Sequence, residues 1–170
     1  KTMDKMTFEN HYMKQFDEEL EEIRTRLMEM GGKVEQQLQN AIRAIGEADS
    51  KLAEEVIKEE QLVDNMEVDI DEACILIIAR RQPAASDLRL VMMVTKAVND
   101  LERIGDEAKK IANHALILAN ESGSSKGYTE VRHLGQSVIS MLSNALDAFA
   151  RFDVDAAMRT IEEDKQIDQE

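Results

Sequence analysis

At 170 residues the chain can bury a real core and need not form more than one domain. Its hydrophobic residues include few aromatics, there is a single proline, and the prevalence of Leu, Ile, Ala, Met, Glu and Lys favours an all-α fold. A net charge of −14 excludes nucleic acid and anionic lipid, which need a basic footprint, and the lone Cys74 excludes an internal disulfide.

Apolar residues recur at helical spacing almost throughout, with no alternating strand pattern. A first helix is expected from about Phe8 to Ala48, through Phe16, Leu20, Ile23, Leu27, Val34, Leu38, Ile42 and Ile45. Gly31-Gly32 falls inside it, where it can kink the helix or let a neighbour approach closely. Asp49-Ser50 offers an N-cap for a second helix from about Lys51 to Arg81. Gln82-Pro83 ends that helix, because proline disfavours helix in the residue before it. A third helix starts near Ser86 and reaches about Asn120. The run Ser122 to Gly127 is the clearest loop in the chain. A fourth helix covers roughly Thr129 to Arg151, and Asp153 caps a fifth that is still running at Glu170. The apolar run Ala73 to Ala79 is far too short to span a bilayer, and the N-terminus lacks a signal peptide's apolar core. A soluble cytoplasmic protein without direct membrane insertion is therefore expected.

The fifth helix repeats part of the second. A gapless shift of 104 residues sets Gly31 on Gly135, Val34 on Val138, Leu38 on Leu142 and Ala53 on Ala157. The same shift sets the cap Asp49 on Asp153, Glu60 on Asp164 and Asp64 on Asp168. Apolar matches alone arise by chance between amphipathic helices. Matching caps, glycines and paired acids together indicate an internal repeat. The expected architecture is an antiparallel three-helix bundle repeated in tandem. Residues 1–122 form the first unit, and residues 123–170 supply the first two helices of an incomplete second one.

Two pairs of acids stand four residues apart on the second and third helices: Glu60 with Asp64, and Glu102 with Asp106. Like charges at that spacing destabilise a helix by a few tenths of a kcal/mol unless a cation compensates. The composition gives roughly seven such acid pairs by random placement, and most of them mark a solvated helix face. Position makes these two different. With the second helix's seam on Leu52, Val56, Val63, Met66, Ile70, Ala73 and Ile77, Glu60 and Asp64 fall on e and b positions. With the third helix's seam on Val91, Val94, Val98, Leu101, Gly105, Ala108, Ala112 and Ala115, so do Glu102 and Asp106. Folding the hairpin about Pro83 sets Glu60 opposite Asp106 and Asp64 opposite Glu102. A slip of three residues would move that match by only about 4.5 Å.

Four carboxylates at one level suit hard or borderline cations with oxygen ligands: Mg, Ca, Mn, Fe or Zn. Glu67 and Asp71 extend the acidic strip, and Asp100, Asp164 and Asp168 are further candidate ligands. The alternative is a hydrated acidic face partly neutralised by Arg103 or Lys109. Other chemistry has little support. Glu130-x-x-His133 has di-iron ligand spacing but occurs once, where that architecture needs two copies and interior Glu ligands. His11 and His114 have no Cys or His at ligand spacing. Gly31-Gly32 lacks the strand and the Gly-Lys-Ser/Thr end of a phosphate loop. No strand-to-helix elbow supports a Ser hydrolase. The ten methionines mostly occupy apolar helix positions, as core residues do.

The run Arg80-Arg81-Gln82-Pro83-Ala84-Ala85-Ser86-Asp87-Leu88-Arg89-Leu90, followed by Asp100-Leu101-Glu102-Arg103-Ile104-Gly105-Asp106, closely resembles the PhoU family. Met30-Gly31-Gly32-x-Val34-Glu35, Met66-Glu67-x-x-Ile70-Asp71-Glu72-Ala73-Cys74 and Asp147-Ala148-Phe149-Ala150-Arg151 extend the likeness over nearly the whole chain. The resemblance implies tandem three-helix bundles with Glu/Asp-x-x-x-Asp motifs that hold metal ions at the surface. Those motifs map to Glu60 with Asp64 and to Glu102 with Asp106. In the second unit only Asp164 and Asp168 are present. The resemblance also implies a negative regulator of phosphate uptake and of the phosphate-starvation response. Its expected partners are the ATPase subunit of the phosphate ABC transporter and a sensor histidine kinase, it acts as a homodimer, and no catalytic activity is implied. A carboxylate-bridged metalloenzyme and a plain helical docking module are the alternatives.

Overall fold

The computed structural model describes residues 2–120 and 128–168, with side chains for residues 12–120 and 130–168. Five helices follow one another: α1 (Thr2–Glu47), α2 (Ser50–Arg81), α3 (Ala85–Asn120), α4 (Tyr128–Arg151) and α5 (Val154–Ile167). Helices α1, α2 and α3 pack on one another as a three-helix bundle, α4 packs on α1, and α5 packs on α4. The Ser122–Gly127 loop expectation lies outside the described residues. Among the described residues, no helix is long and apolar enough to cross a membrane.

The seams behave as their spacing requires. All eight α3 positions from Val91 to Ala115 are buried, and they meet Ile23, Leu27, Met30 and Val34 of α1 in one core. On α2, Leu52, Val56, Val63, Ile70 and Ile77 are buried, while Met66 and Ala73 are partly so. Cys74 joins this core beside Thr95, and burial pushes its thiol pKa up. The methionines divide: Met30 is fully buried, whereas Met92, Met93 and Met158 stand exposed.

The turn before α2 and the turn before α5 are built alike. Ala48 and Phe152 adopt φ of 53° and 52°, and the following Asp49 and Asp153 take extended cap conformations. The Asp49 carboxylate accepts from the Lys51 and Leu52 N–H groups at 3.1 Å, and that of Asp153 accepts from the Ala156 N–H at 2.9 Å. Each aspartate thereby satisfies donors that the first helical turn leaves orphaned. The backbone N–H of each also donates 2.9 Å to a carbonyl of the preceding helix, Ala44 or Ala148.

Glycine allows α1 and α4 to approach closely. A Cβ on Gly31 would lie 2.5 Å from Leu146 Cδ2, and one on Gly135 would lie 2.7 Å from Ile42 Cδ1. Gly31 and Gly135 are equivalent in the repeat, as are Ile42 and Leu146, so the two contacts are copies of one another about a local two-fold. Helix α1 runs through Gly31-Gly32 without a break; Gly31 makes the contact, and Gly32 faces open space. Arg24 fastens the far end, donating 3.1 Å to the Ala150 carbonyl and lying over the Phe152 ring. The guanidinium thus satisfies a carbonyl in the last turn of α4.

Candidate metal centre on the α2–α3 hairpin

Helix α2 ends with Gln82 in the left-handed region, and α3 begins at Ala85 with a positive φ. That turn is not symmetric about Pro83, and the register shows it. Glu60 faces Lys109, Val63 packs at Gly105, and Cys74 lies beside Thr95. Each α3 partner stands two or three residues beyond the position that a symmetric turn assigns. Glu60 therefore meets Lys109 and not Asp106, and Glu67 is brought toward Glu102. The offset is under one helical turn, so the acids still gather.

Gly105 explains why the shoulders come so near one another. Without a side chain, it lets Val63 Cγ1 and Gln37 Oε1 approach to 3.3 and 3.2 Å of where a Cβ would be. Glu102 and Asp106 flank this crossing on α3, and Glu60 and Asp64 flank it on α2. All four side chains are half-buried, as shoulder positions should be. Gln37 is the one fully buried polar residue among those described, donating from Nε2 to the Val56 carbonyl at 3.3 Å while Oε1 lacks a partner.

The electrostatics record the gathering. Burial, and then the charges of Asp106, Asp64 and Glu60, hold the Glu102 carboxyl above the usual carboxylate range, with Arg103 opposing. Burial, followed by Glu102, Asp71 and Asp64, raises Glu67 as well. Glu67 thus belongs to the same cluster, and Asp71 adjoins it with a buried Oδ1 that has no hydrogen-bond partner. Lys109 Nζ pairs with Glu60, which holds the ammonium pKa above its ordinary value. Among the described residues, no three His, Cys, Asp or Glu side chains converge as a ready-made metal cage.

The remaining candidates lie apart. Asp100 pairs loosely with Arg103 at 3.7 Å on an exposed face. Asp164 is exposed beside a groove lined by Leu38, Ile104, Leu142 and Ile161, and Asp168 is the exposed C-cap of α5. Glu130, His133 and His114 are exposed; the His114 ring sits 2.8 Å from the Lys110 carbonyl. His11 lies outside the described side chains. In the sequence alone Lys109 is only one of two surface neutralisers. The signal that singles it out is its place one turn beyond Asp106 on the same shoulder, readable once the register is known.

A helical bundle with a repeated hairpin and an acidic cluster on one shoulder defines a class: helical proteins whose conspicuous chemistry is carboxylate and external. The chain belongs to the PhoU domain family, which matches residues 27–115 and 131–170. It is 52% identical over 168 residues to the phosphate-specific transport system accessory protein PhoU homolog of Pseudomonas putida, covering 99% of this chain and 66% of that one. It is 51% identical to the phosphate-specific transport system accessory protein PhoU of Escherichia coli K12, covering 99% and 69%. The chain thus spans about two thirds of the length of these relatives. The crystal structure of PhoU from Pseudomonas aeruginosa superposes with a TM-score of 0.87 at 51% identity, over 91% of this chain and 74% of that one. The phosphate transport system regulatory protein PhoU from Streptococcus pneumoniae gives a TM-score of 0.82 at 29% identity, over 91% and 72%.

Proposed function

We propose that this protein is a cytoplasmic, non-enzymatic negative regulator of phosphate uptake and of the phosphate-starvation response. It acts as a homodimer through contacts with the ATPase subunit of the phosphate ABC transporter and with a sensor histidine kinase. The observation that carries this reading is the near-complete match to relatives named as accessory proteins of phosphate-specific transport. The charge of −14 adds to it, since a surface so acidic favours protein partners over nucleic acid or anionic lipid. An enzyme of the carboxylate-bridged kind needs ligands inside the bundle, and these acids stand on its shoulder.

The same reading gives the α2–α3 acids a metal ion. What supports this is a donor set that is all oxygen, the charges of Asp106, Asp64 and Glu60 that add to burial in raising Glu102, and an Asp71 Oδ1 that is buried without a partner. Glu60, Asp64, Glu102 and Asp106 would hold the ion, with Glu67 and Asp71 beside them. A bound Fe, Zn, Mn, Mg or Ca ion would supply positive charge to a surface that otherwise repels phosphate and acidic partner groups. The biological test is genetic. Deleting the gene that encodes this chain should raise phosphate uptake and starvation-gene expression in phosphate-replete cells. Repression as tight as in the parent strain would contradict the regulator.

A further inference from the structure

The shoulder of the α2–α3 hairpin that carries the acids turns apolar toward the hairpin's tip. On α2, three-four spacing leads from Asp64 and Glu67 through Asp71 to Ile75 and Ile78. On α3 the same spacing leads from Glu102 through Asn99 and Thr95 to Met92 and Leu88. Cys74 beside Thr95 sets the two helices level, so all four apolar side chains lie on the tip side of that contact. Ile75 and Met92 are 64% and 52% exposed, and Ile78 and Leu88 are exposed as well. The acids that border this apolar end lack cations. Among the described residues no Lys or Arg pairs with Glu67, Asp71 or Glu102, and the neighbouring Arg103 and Lys109 pair with Asp100 and Glu60.

We propose that this face docks an amphipathic helix of a protein partner, its apolar residues on Ile75, Ile78, Leu88 and Met92 and its Lys or Arg residues against Glu67, Asp71 and Glu102. The inference rests on the protein-contact part of the proposed function, for which it names a surface, and it needs no metal. Helices bind two-helix faces in this way, with anchors at three-four spacing. Ile78 and Glu67 stand about 16 Å apart along α2, so the partner needs about three helical turns. Charge selects the occupant. A second copy would set acids against acids or against isoleucines, and anionic lipid would be repelled. A basic partner instead relieves the repulsion that Glu67 and Glu102 bear from their neighbours. The apolar end supplies affinity and the acid end supplies direction, because a helix turned end for end would set its cations on the isoleucines.

Fluorescence anisotropy on chelator-treated protein tests the face with a labelled synthetic helix of about fifteen residues. The peptide carries leucines on one side over its first half and arginines on that side over its second. It should bind saturably, and more weakly as salt rises. Ile75→Ser with Met92→Gln should weaken it roughly tenfold or more, the order expected for two apolar anchors. Both side chains are exposed, so the fold should not suffer. Glu67→Gln with Asp71→Asn should weaken it roughly tenfold and remove most of the salt dependence. Met158→Gln, on the exposed face of α5, should leave it unchanged. An isomer with its arginines moved to the opposite side should bind at least roughly tenfold more weakly. Equal binding by that isomer, or binding that survives both double variants, would overturn the docking face. So would a dimer in sedimentation that Ile75→Ser with Met92→Gln splits, since a second copy would then hold the face. Each of these failures leaves the regulator reading to its own genetic test.

Discussion

Helices α1 and α2 and helices α4 and α5 carry the same pattern 104 residues apart, yet only the first pair is covered by a third helix among the described residues. Ala41 and Ala53 are fully buried, and their equivalents Ala145 and Ala157 are exposed. Val34 is fully buried and Val138 only half so. No residue of α5 is buried, and Val154, Met158 and Ile161 all present apolar surface. The turns and caps are nevertheless the same in both. Local signals therefore form wherever they are written, whereas burial needs a neighbour. A cap requires one side chain and the N–H groups just beyond it; a core requires the whole bundle.

The contrast can be broken first by cutting into the two apolar faces. Ile70 is 1% exposed and Ile161 is 54% exposed. Ile70→Ala should cost about 2–5 kcal/mol in urea denaturation, and Ile161→Ala should stay within about 0.5 kcal/mol. Similar losses at both sites would mean that α5 is covered in solution.

The shared feature of the two units, the α1–α4 glycine crossing, comes next. Gly135→Ala sets a methyl against the β-branched Ile42 and should cost about 1–3 kcal/mol, with Ile42→Ala relieving part of the clash. Gly32, one residue from the crossing, faces open space. There Gly32→Ala should stabilise by about 0.5–1 kcal/mol, the helix propensity gain alone. Equal effects at Gly32 and Gly135 would remove the close approach from the account.

A smaller effect separates the acid cluster of the first unit from the solvated acids of α5. A carboxyl whose folded-state pKa is raised weakens the fold once ionised. For Glu67 and Glu102 stability should therefore climb as pH falls from neutral through their folded values toward the ordinary 4.5. Glu19, lowered chiefly by its hydrogen bond from Arg81, works in a different window. Its contribution is present above 4.5 and is lost only as pH drops through its lowered folded value. In chelator-treated protein, Glu102→Gln should raise stability at neutral pH and flatten the climb on mild acidification. An unchanged profile would show that the cluster is not repulsive.

Much of this was legible in the sequence because it is periodic. The α3 seam follows from three-four spacing, and Asp49 and Asp153 follow from cap chemistry. The gathering of the α2 and α3 acids follows from a hairpin turning at Pro83. The register did not follow, because the left-handed Gln82 and the positive φ at Ala85 leave no mark in residue type. Neither residue is glycine or asparagine, the usual sign of that conformation. The offset they introduce decides that Glu60 pairs with Lys109 and that Glu67 faces Glu102. Gln37 was equally hidden, a glutamine on an apolar seam whose repeat equivalent is Met141. Met92, Met93 and Met158 stand exposed at apolar helix positions for a related reason: helical spacing gives a face, not what lies against it.

We propose that the acids gathered by the α2–α3 hairpin form one cation site. Counting manganese bound to the purified protein by electron paramagnetic resonance tests it most directly, wild type against a variant with Asp64→Asn and Glu102→Gln. Saturable uptake by the wild type that disappears in the double variant is the expected result. Uptake that survives the double substitution, or none in either protein, would contradict the site.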